Sequence, residues 1–277
     1  MNSGLVENRE PEENPMRTHA RLAALLAVAL VGGVGCGSDP MRTSLWQPKP
    51  WTEWQIQFRG RIDTTLNVDA FEVDLFDTPL ADIKRLRENE TKVICYFSAG
   101  TYEDWRPDSG LFSAALLGEP LPSWPGERWL DIRQLDALLP LLRQRLDLAV
   151  QKGCDGIDAD NVNGYTNATG FPLTADYQLR FNRALASEAH ARLLAIGLKN
   201  DLNQVPDLVT TFDFAVNESC VALGECDTLK PFIAIGKPVF GIEYQGTFDT
   251  VCPVANAHGF DTLIKNRSLD SYRVACR

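Results

Sequence analysis

The chain is poor in the residues that build metal and nucleic-acid sites. It has three histidines, one of them (His19) in an N-terminal apolar segment, and seven cysteines with no Cys-x-x-Cys among them. The usual nitrogen and thiolate metal sites therefore have no ligand set to draw on, and no metal is expected. Lysine and arginine number 27 against 37 aspartates and glutamates, a formal net charge of −10. Phosphate backbones need clustered Lys and Arg, so nucleic acid is excluded as a partner, and a neutral or cationic ligand suits the balance better. No glycine-rich phosphate loop follows the first strand-like segment, which removes the signature of a dinucleotide-binding doubly wound sheet; no cofactor is expected. There is no internal repeat and no low-complexity tract. What is present is ordinary globular composition over 277 residues, 44% hydrophobic and 23% charged, enough for a sizeable core.

Residues 16–36 carry Arg17 and Arg21, an apolar run from Leu22 to Val31, then small residues and Cys36. That order is a targeting signal, and the run is too short to span a bilayer permanently. The preceding stretch, MNSGLVENREPEENP, is acidic and unlike an export signal, so translation is expected to start at Met16. Cys36 resembles the lipid-attachment cysteine of bacterial lipoproteins, although Gly33 stands where Leu is usual; the alternative is ordinary cleavage near Gly35. Either way the protein is exported, with membrane contact only through a lipid on Cys36. Residues 1–36 are set aside as extension and signal, 37–50 as a Pro-containing tether, and 51–277 as one folded domain, expected to be monomeric. Six cysteines remain, an even number that permits many pairings. Cys220 with Cys226 closes a short polar excursion, and Cys252 with Cys276 fastens the C-terminus. Cys95 lies inside an apolar strand, so Cys95 and Cys154 are read as buried thiols rather than a bridge.

The domain repeats an order of strand, polar turn and helix. Strands are predicted in 54–58, 70–76, 92–100, 156–161, 194–200, 212–218, 238–244 and 260–266. Helical periodicity is clear over 133–153 and 174–192, with a shorter helix around 80–90. Eight apolar strands in this rhythm predict an α/β fold of the (β/α)8 TIM-barrel type, with a doubly wound open sheet as the alternative. Almost every strand ends in polar residues: Asp74 and Asp77; Ser98; Asp158, Asp160 and Asn161; Lys199 and Asn200; Asn217 and Glu218; Glu243 and Tyr244; Lys265 and Asn266. Each alone reads as a solvated loop residue. In a closed barrel the carboxyl ends of all strands converge on one face, so residues dispersed in sequence become one cluster. In GCDGIDADNVNGY (153–165) Asp158 and Asp160 alternate around Ala159 and fall on one side of an extended chain. Two unpaired carboxylates side by side resist burial unless a cation, a shared proton or a reaction accounts for them.

DGIDADNVNGY, with VICYFSAG upstream and FAVNESC downstream, resembles glycoside hydrolase family 114, which contains the endo-α-1,4-polygalactosaminidases. The resemblance covers the chain from about Trp51 to its end. It implies a (β/α)8 barrel, Asp160 and Glu218 as catalytic carboxylates, and Asp74, Asp158, Asn161, Lys199 and Glu243 along the substrate cleft. It also implies a galactosamine-rich, partly cationic polysaccharide as substrate. The residues agree on chemical grounds: glycosidic cleavage takes one carboxylic acid to protonate the leaving oxygen and one carboxylate as nucleophile or base. Asn217 belongs to the same cluster, and Tyr96, Tyr102, Trp105, Trp124, Tyr165 and Tyr244 are candidates for stacking on sugar faces, with rim packing as the alternative. Two other classes remain open. One is a surface barrel that binds glycan without cutting it; the other is a metal-dependent hydrolase using Asp158 and Asp160 as ligands, for which further ligands are not evident.

Overall fold

The structure, a computed structural model, describes residues 44–277; the signal segment, Cys36 and the first part of the tether lie outside the described residues. All eight strand segments form: Trp54–Ile56, Ala70–Asp74, Lys92–Ser98, Gly156–Asp160, Ala195–Lys199, Phe214–Glu218, Val239–Glu243 and Asp261–Ile264. They pair in chain order and all in parallel. Both faces of such strands are covered, which is why they read as nearly continuous apolar runs. Inward-facing Ile56, Ile94, Phe214, Phe240 and Leu263 form the core of the barrel lumen, together with Trp54. Outward-facing Phe71, Val73, Cys95, Phe97, Ile157 and Leu198 pack beneath the helices. Gly197 is part of the lumen packing: a Cβ there would lie 2.4 Å from the Phe214 ring.

Among the described residues no backbone ladder joins the eighth strand to the first. Side chains and the C-terminal tail close the barrel instead. The Trp54 indole donates to the Asp261 carbonyl at 2.7 Å, Lys265 donates to Gln55 at 3.0 Å, and Arg273 donates to the Trp54 carbonyl at 2.9 Å. Residues Val274–Ala275 add to the eighth strand antiparallel. Lys265, polar at a strand end, is thus a closure residue, and burial pushes its ammonium down to about 8. From the tether, Trp46 packs on Phe214 with ring centroids 6.2 Å apart.

The helices Leu80–Glu88, Leu135–Lys152 and Ala175–His190 form where the periodicity predicts them. The even strand–helix rhythm does not hold throughout. The first strand is followed by a loop, and the fifth and sixth by helical pieces as short as Val205–Leu208 and Lys230–Ala234. Between the third and fourth strands lies an antiparallel sheet of Thr101–Glu103, Glu127–Leu130 and Leu117–Pro120, in that spatial order. Its strands have three or four residues, too few for an alternation to register.

Three disulfides are present: Cys95–Cys154, Cys220–Cys226 and Cys252–Cys276. The last two match the sequence reading, and the first corrects it. Cys95 is not an isolated thiol, because its side chain points outward into the helix layer while Ile94 points into the lumen. The chain leaves the helix Leu135–Lys152 through left-handed Gly153 and brings Cys154 to it, with a Cα–Cα distance of 5.9 Å. No helix among the described residues is long and apolar enough to cross a membrane.

Burial raises the Asp261 carboxyl to about 7, with Arg277 opposing. The native state therefore keeps a proton there that the unfolded chain releases near the ordinary carboxylate range, so this contribution to stability is full below that range and is lost as pH rises through about 7. The melting temperature of Asp261→Asn minus that of the wild type is expected to grow as pH is raised from about 4.5 to about 8. Parallel melts at the two pH values check this, and a constant difference would show that Asp261 does not titrate in that window.

Candidate active site

The central side chains of the site are the last residues of their strands, and a sharp turn follows each. The residues following Asp160, Lys199 and Glu218 are Asn161, Asn200 and Ser219, and all three are left-handed, with φ of 61°, 54° and 67°. Asn is among the residues that tolerate this conformation best. Gly100 is required on the neighbouring strand end, since a Cβ there would sit 1.8 Å from the Asn161 carbonyl oxygen.

The centre of the site is a lysine among carboxylates. Lys199 Nζ lies 3.3 Å from Asp160 Oδ1, 3.7 Å from Glu218 Oε2 and 3.6 Å from Asp158 Oδ2. Burial alone would lower the lysine, but Asp160, Glu218 and Asp158 outweigh it and hold the ammonium well above its usual range. Asp160 accepts from the Tyr96 hydroxyl at 2.9 Å and from the Asn161 backbone N–H at 2.8 Å. Glu218 accepts from the Tyr244 hydroxyl at 2.5 Å and from the Asn200 amide at 3.3 Å. Burial pushes the Glu218 carboxyl up, yet Lys199, Tyr244 and Asn200 more than offset it and keep it below its ordinary range.

A second network lies alongside. Arg106 grips Asp74 with two hydrogen bonds of 2.9 and 2.8 Å and donates to Glu103 at 2.8 Å. Thr101 donates to Glu127, whose same oxygen takes the Asn161 amide at 3.2 Å. Burial raises Glu127 to about 7 against the Thr101 hydrogen bond.

Above these groups opens a cleft of about 1330 Å³, lined by Asp74, Tyr96, Asp160, Asn161, Lys199 and Glu218 from the predicted set. The structure brings those six together, with Tyr244 behind Glu218. Besides Tyr244, four predicted positions are not on the cleft wall. Asp158 is fully buried in the lumen one residue pair below Asp160, because inward positions along a strand stack in layers. Glu243 is buried on the outward side of its strand and accepts the backbone N–H of Val221 at 2.7 Å, in the short helix Cys220–Leu223 that follows the sixth strand. Asn217, also outward, donates to the Asn200 side-chain oxygen at 3.3 Å. Tyr165 sits beside Asp201 and is not among the residues lining the cleft. Of the aromatic candidates, Trp105 and Trp124 line the cleft and are 45% and 55% exposed, while Tyr102 packs edge-on against Phe112. Glu103, Arg106, Glu127 and Trp129 were not singled out in sequence. They come from the inserted antiparallel sheet and its flanking turn, so no strand-end pattern marks them.

The family model of glycoside-hydrolase family GH114 matches residues 37–277. Sequence comparison with curated proteins finds no match. Among solved structures, the chain is similar to Aspergillus fumigatus Ega3 in complex with galactosamine. The identity is 40% and the TM-score 0.80, over 86% of this chain and all of that one. It also shares its fold with the glycoside hydrolase domain of PelA from Pseudomonas aeruginosa, at 17% identity and a TM-score of 0.63, over 80% of this chain and 98% of that one. A barrel whose strand ends converge two carboxylates on one lysine, matched by this family over nearly its whole described length, belongs to glycoside-hydrolase family GH114.

Proposed function

We propose that the protein hydrolyses internal α-1,4 linkages of a galactosamine-rich polysaccharide, with Asp160 and Glu218 as its catalytic carboxylates. The observation that carries this is their arrangement. They come from the fourth and sixth strands, face one cleft, and both lie within 3.7 Å of the same ammonium group. Glycoside cleavage needs such a pair, one carboxyl to protonate the leaving oxygen and one to act as nucleophile or base. Asp77 and Glu119 add carboxylates to the cleft wall, which suits a chain carrying free ammonium groups. The complex of Ega3 with galactosamine supports the same sugar class. Trp105 and Trp124 offer exposed ring faces for stacking.

Lys199 also argues against the metal-dependent alternative, since the cation between the carboxylates is already supplied by the chain. Among the described residues no group of His, Cys, Asp and Glu is arranged to hold a metal ion. Chelator treatment is therefore expected to leave turnover unchanged. The three disulfides support export to an oxidising compartment, with the signal ending at Cys36 as the route and, by lipidation, the anchor.

Purified protein incubated with α-linked polymers of galactosamine, N-acetylgalactosamine and galactose tests the substrate. Short oligosaccharides from the first polymer are expected; intact chains throughout, or cleavage of the galactose polymer alone, would overturn the reading. The pH–rate curve of Tyr244→Phe tests the roles. Removing the hydroxyl that donates to Glu218 raises that carboxyl while the Tyr96 hydrogen bond to Asp160 stays, so the limb that Glu218 governs moves to higher pH. Movement of the acidic limb makes Glu218 the working carboxylate; movement of the alkaline limb makes it the acid. No movement of either limb would remove Glu218 from the reaction.

A further inference from the structure

Glu72 and Asp158 form a feature of the lumen that the reaction as described does not use. Glu72 lies on the second strand and Asp158 on the fourth, both are 0% exposed, and their carboxyls face one another within hydrogen-bonding reach. None of their four oxygens receives a hydrogen bond from any donor among the described residues. Asp158 is 3.6 Å from Lys199, beyond a hydrogen bond but close enough to feel its charge. Two adjacent buried carboxylates without donors would each bear a full desolvation cost and repel one another. A proton between them removes one charge and supplies the missing donor. We propose that Glu72 and Asp158 hold a single proton between them, so that the pair carries one negative charge beneath Lys199 and Glu72 serves as a positioning residue for the reaction.

The groups facing the pair agree with that charge count. Lys199 on the fifth strand supplies the one positive charge, and Asp160 on the fourth and Glu218 on the sixth supply further negative ones. Tyr96 on the third strand lies beside Lys199 and donates to Asp160. Burial, followed by its neighbouring carboxylate, raises Glu72 well above the ordinary range, and burial also raises Asp158 although Lys199 opposes it. With one charge below it, Lys199 keeps its field for Asp160 and Glu218. With two, part of that field would be spent on the pair, and Glu218 would become harder to ionise.

Infrared spectroscopy at about pH 9 tests the shared proton without relying on turnover. Of the other buried acids, Glu127, Asp201 and Asp261 are raised to about 7 and have ionised by then; burial also raises Glu103 and Glu243, which Arg106 and the backbone N–H groups of Val221 and Ala222 oppose. The wild type is expected to show a protonated-carboxyl C=O band that Glu72→Gln lacks, because the amide supplies the donor and the remaining carboxylate keeps the charge. A wild type without the band, or a band unchanged in Glu72→Gln, would overturn the proposal. The pH–rate curve then reads the charge count, resting on the proposed hydrolysis. Glu72→Gln and Asp158→Asn each leave one negative charge and are expected to leave the limb governed by Glu218 in place. The double variant leaves none, and that limb is expected to move to lower pH by about one unit. A shift in each single variant of about half that in the double would show that each carboxyl carries its own charge and would overturn the shared proton. Loss of hydrolysis with the infrared result intact would bear on the substrate and not on the pair.

Discussion

Asp160→Asn and Glu218→Gln are each expected to remove nearly all hydrolysis while leaving the protein folded and able to bind glycan. The loss is on the order of 10²–10⁴-fold where a general acid or base is removed, and larger for a nucleophile. Both substitutions preserve shape. In Asp160→Asn the amide oxygen still accepts from Tyr96, and in Glu218→Gln it still accepts from Tyr244, so the two hydrogen bonds that fix these groups survive. Neither leaves Lys199 without an anion, since each variant keeps the other upper carboxylate and Asp158. Binding is expected to rest on Trp105, Trp124 and the other acidic groups lining the cleft, which are unchanged. Turnover of a galactosamine polymer, measured beside retention of the same polymer by the inactive variants, separates catalysis from binding. Substantial turnover in both variants would refute the assignment. Loss of retention along with turnover would mean that these groups chiefly hold substrate.

The largest expected effect on stability comes from the bridge that closes the longest loop. Cys95 and Cys154 are 59 residues apart, against 24 and 6 for the other two pairs. The entropy removed from the unfolded chain grows with loop length, and in that model the first bridge contributes about 4 kcal/mol. Replacing both residues by Ala is expected to lower the melting temperature by roughly 10 °C for a domain of this size. Both positions are fully buried among apolar side chains, so the lost packing acts in the same direction. Thermal melts of Cys95→Ala/Cys154→Ala beside Cys220→Ala/Cys226→Ala give the comparison, and a smaller loss in the first would refute the loop-length argument. Reductant is expected to lower the wild-type melting temperature and to leave that of the triple-bridge deletion unchanged.

The eight strands, three of the helices and the carboxylates Asp160 and Glu218 were legible in the sequence because each rests on local periodicity or on the end of a strand; the helix Phe248–His258 was not read. Strands buried on both faces are apolar along their length, and polar residues concentrate where those runs stop. The family resemblance of DGIDADNVNGY added the catalytic roles on top of that pattern. The barrel was an inference from rhythm alone, and its closure was not visible: Trp54, Lys265 and Arg273 make the seam through contacts across more than 200 residues.

What the sequence by itself determined was the set of strands, the acidic balance and the presence of polar residues at the strand ends. Which of those residues meet a ligand was decided by tertiary structure, because a step of one position along a strand reverses the face a side chain takes. Asp160 and Glu218 point inward at the top layer and reach the cleft, whereas Asn217 and Glu243 point outward beneath the helices. Asp158 points inward but one layer down, and there it meets Glu72, a residue of the second strand that no local pattern connects to it. The pairing of Cys95 with Cys154 has the same origin, since only the return of the chain through a helix sets a cysteine of one strand beside the entry to the next. Layer and facing are properties of the curled sheet, and the charge on Lys199 becomes decisive only where the curl gathers three carboxylates around it.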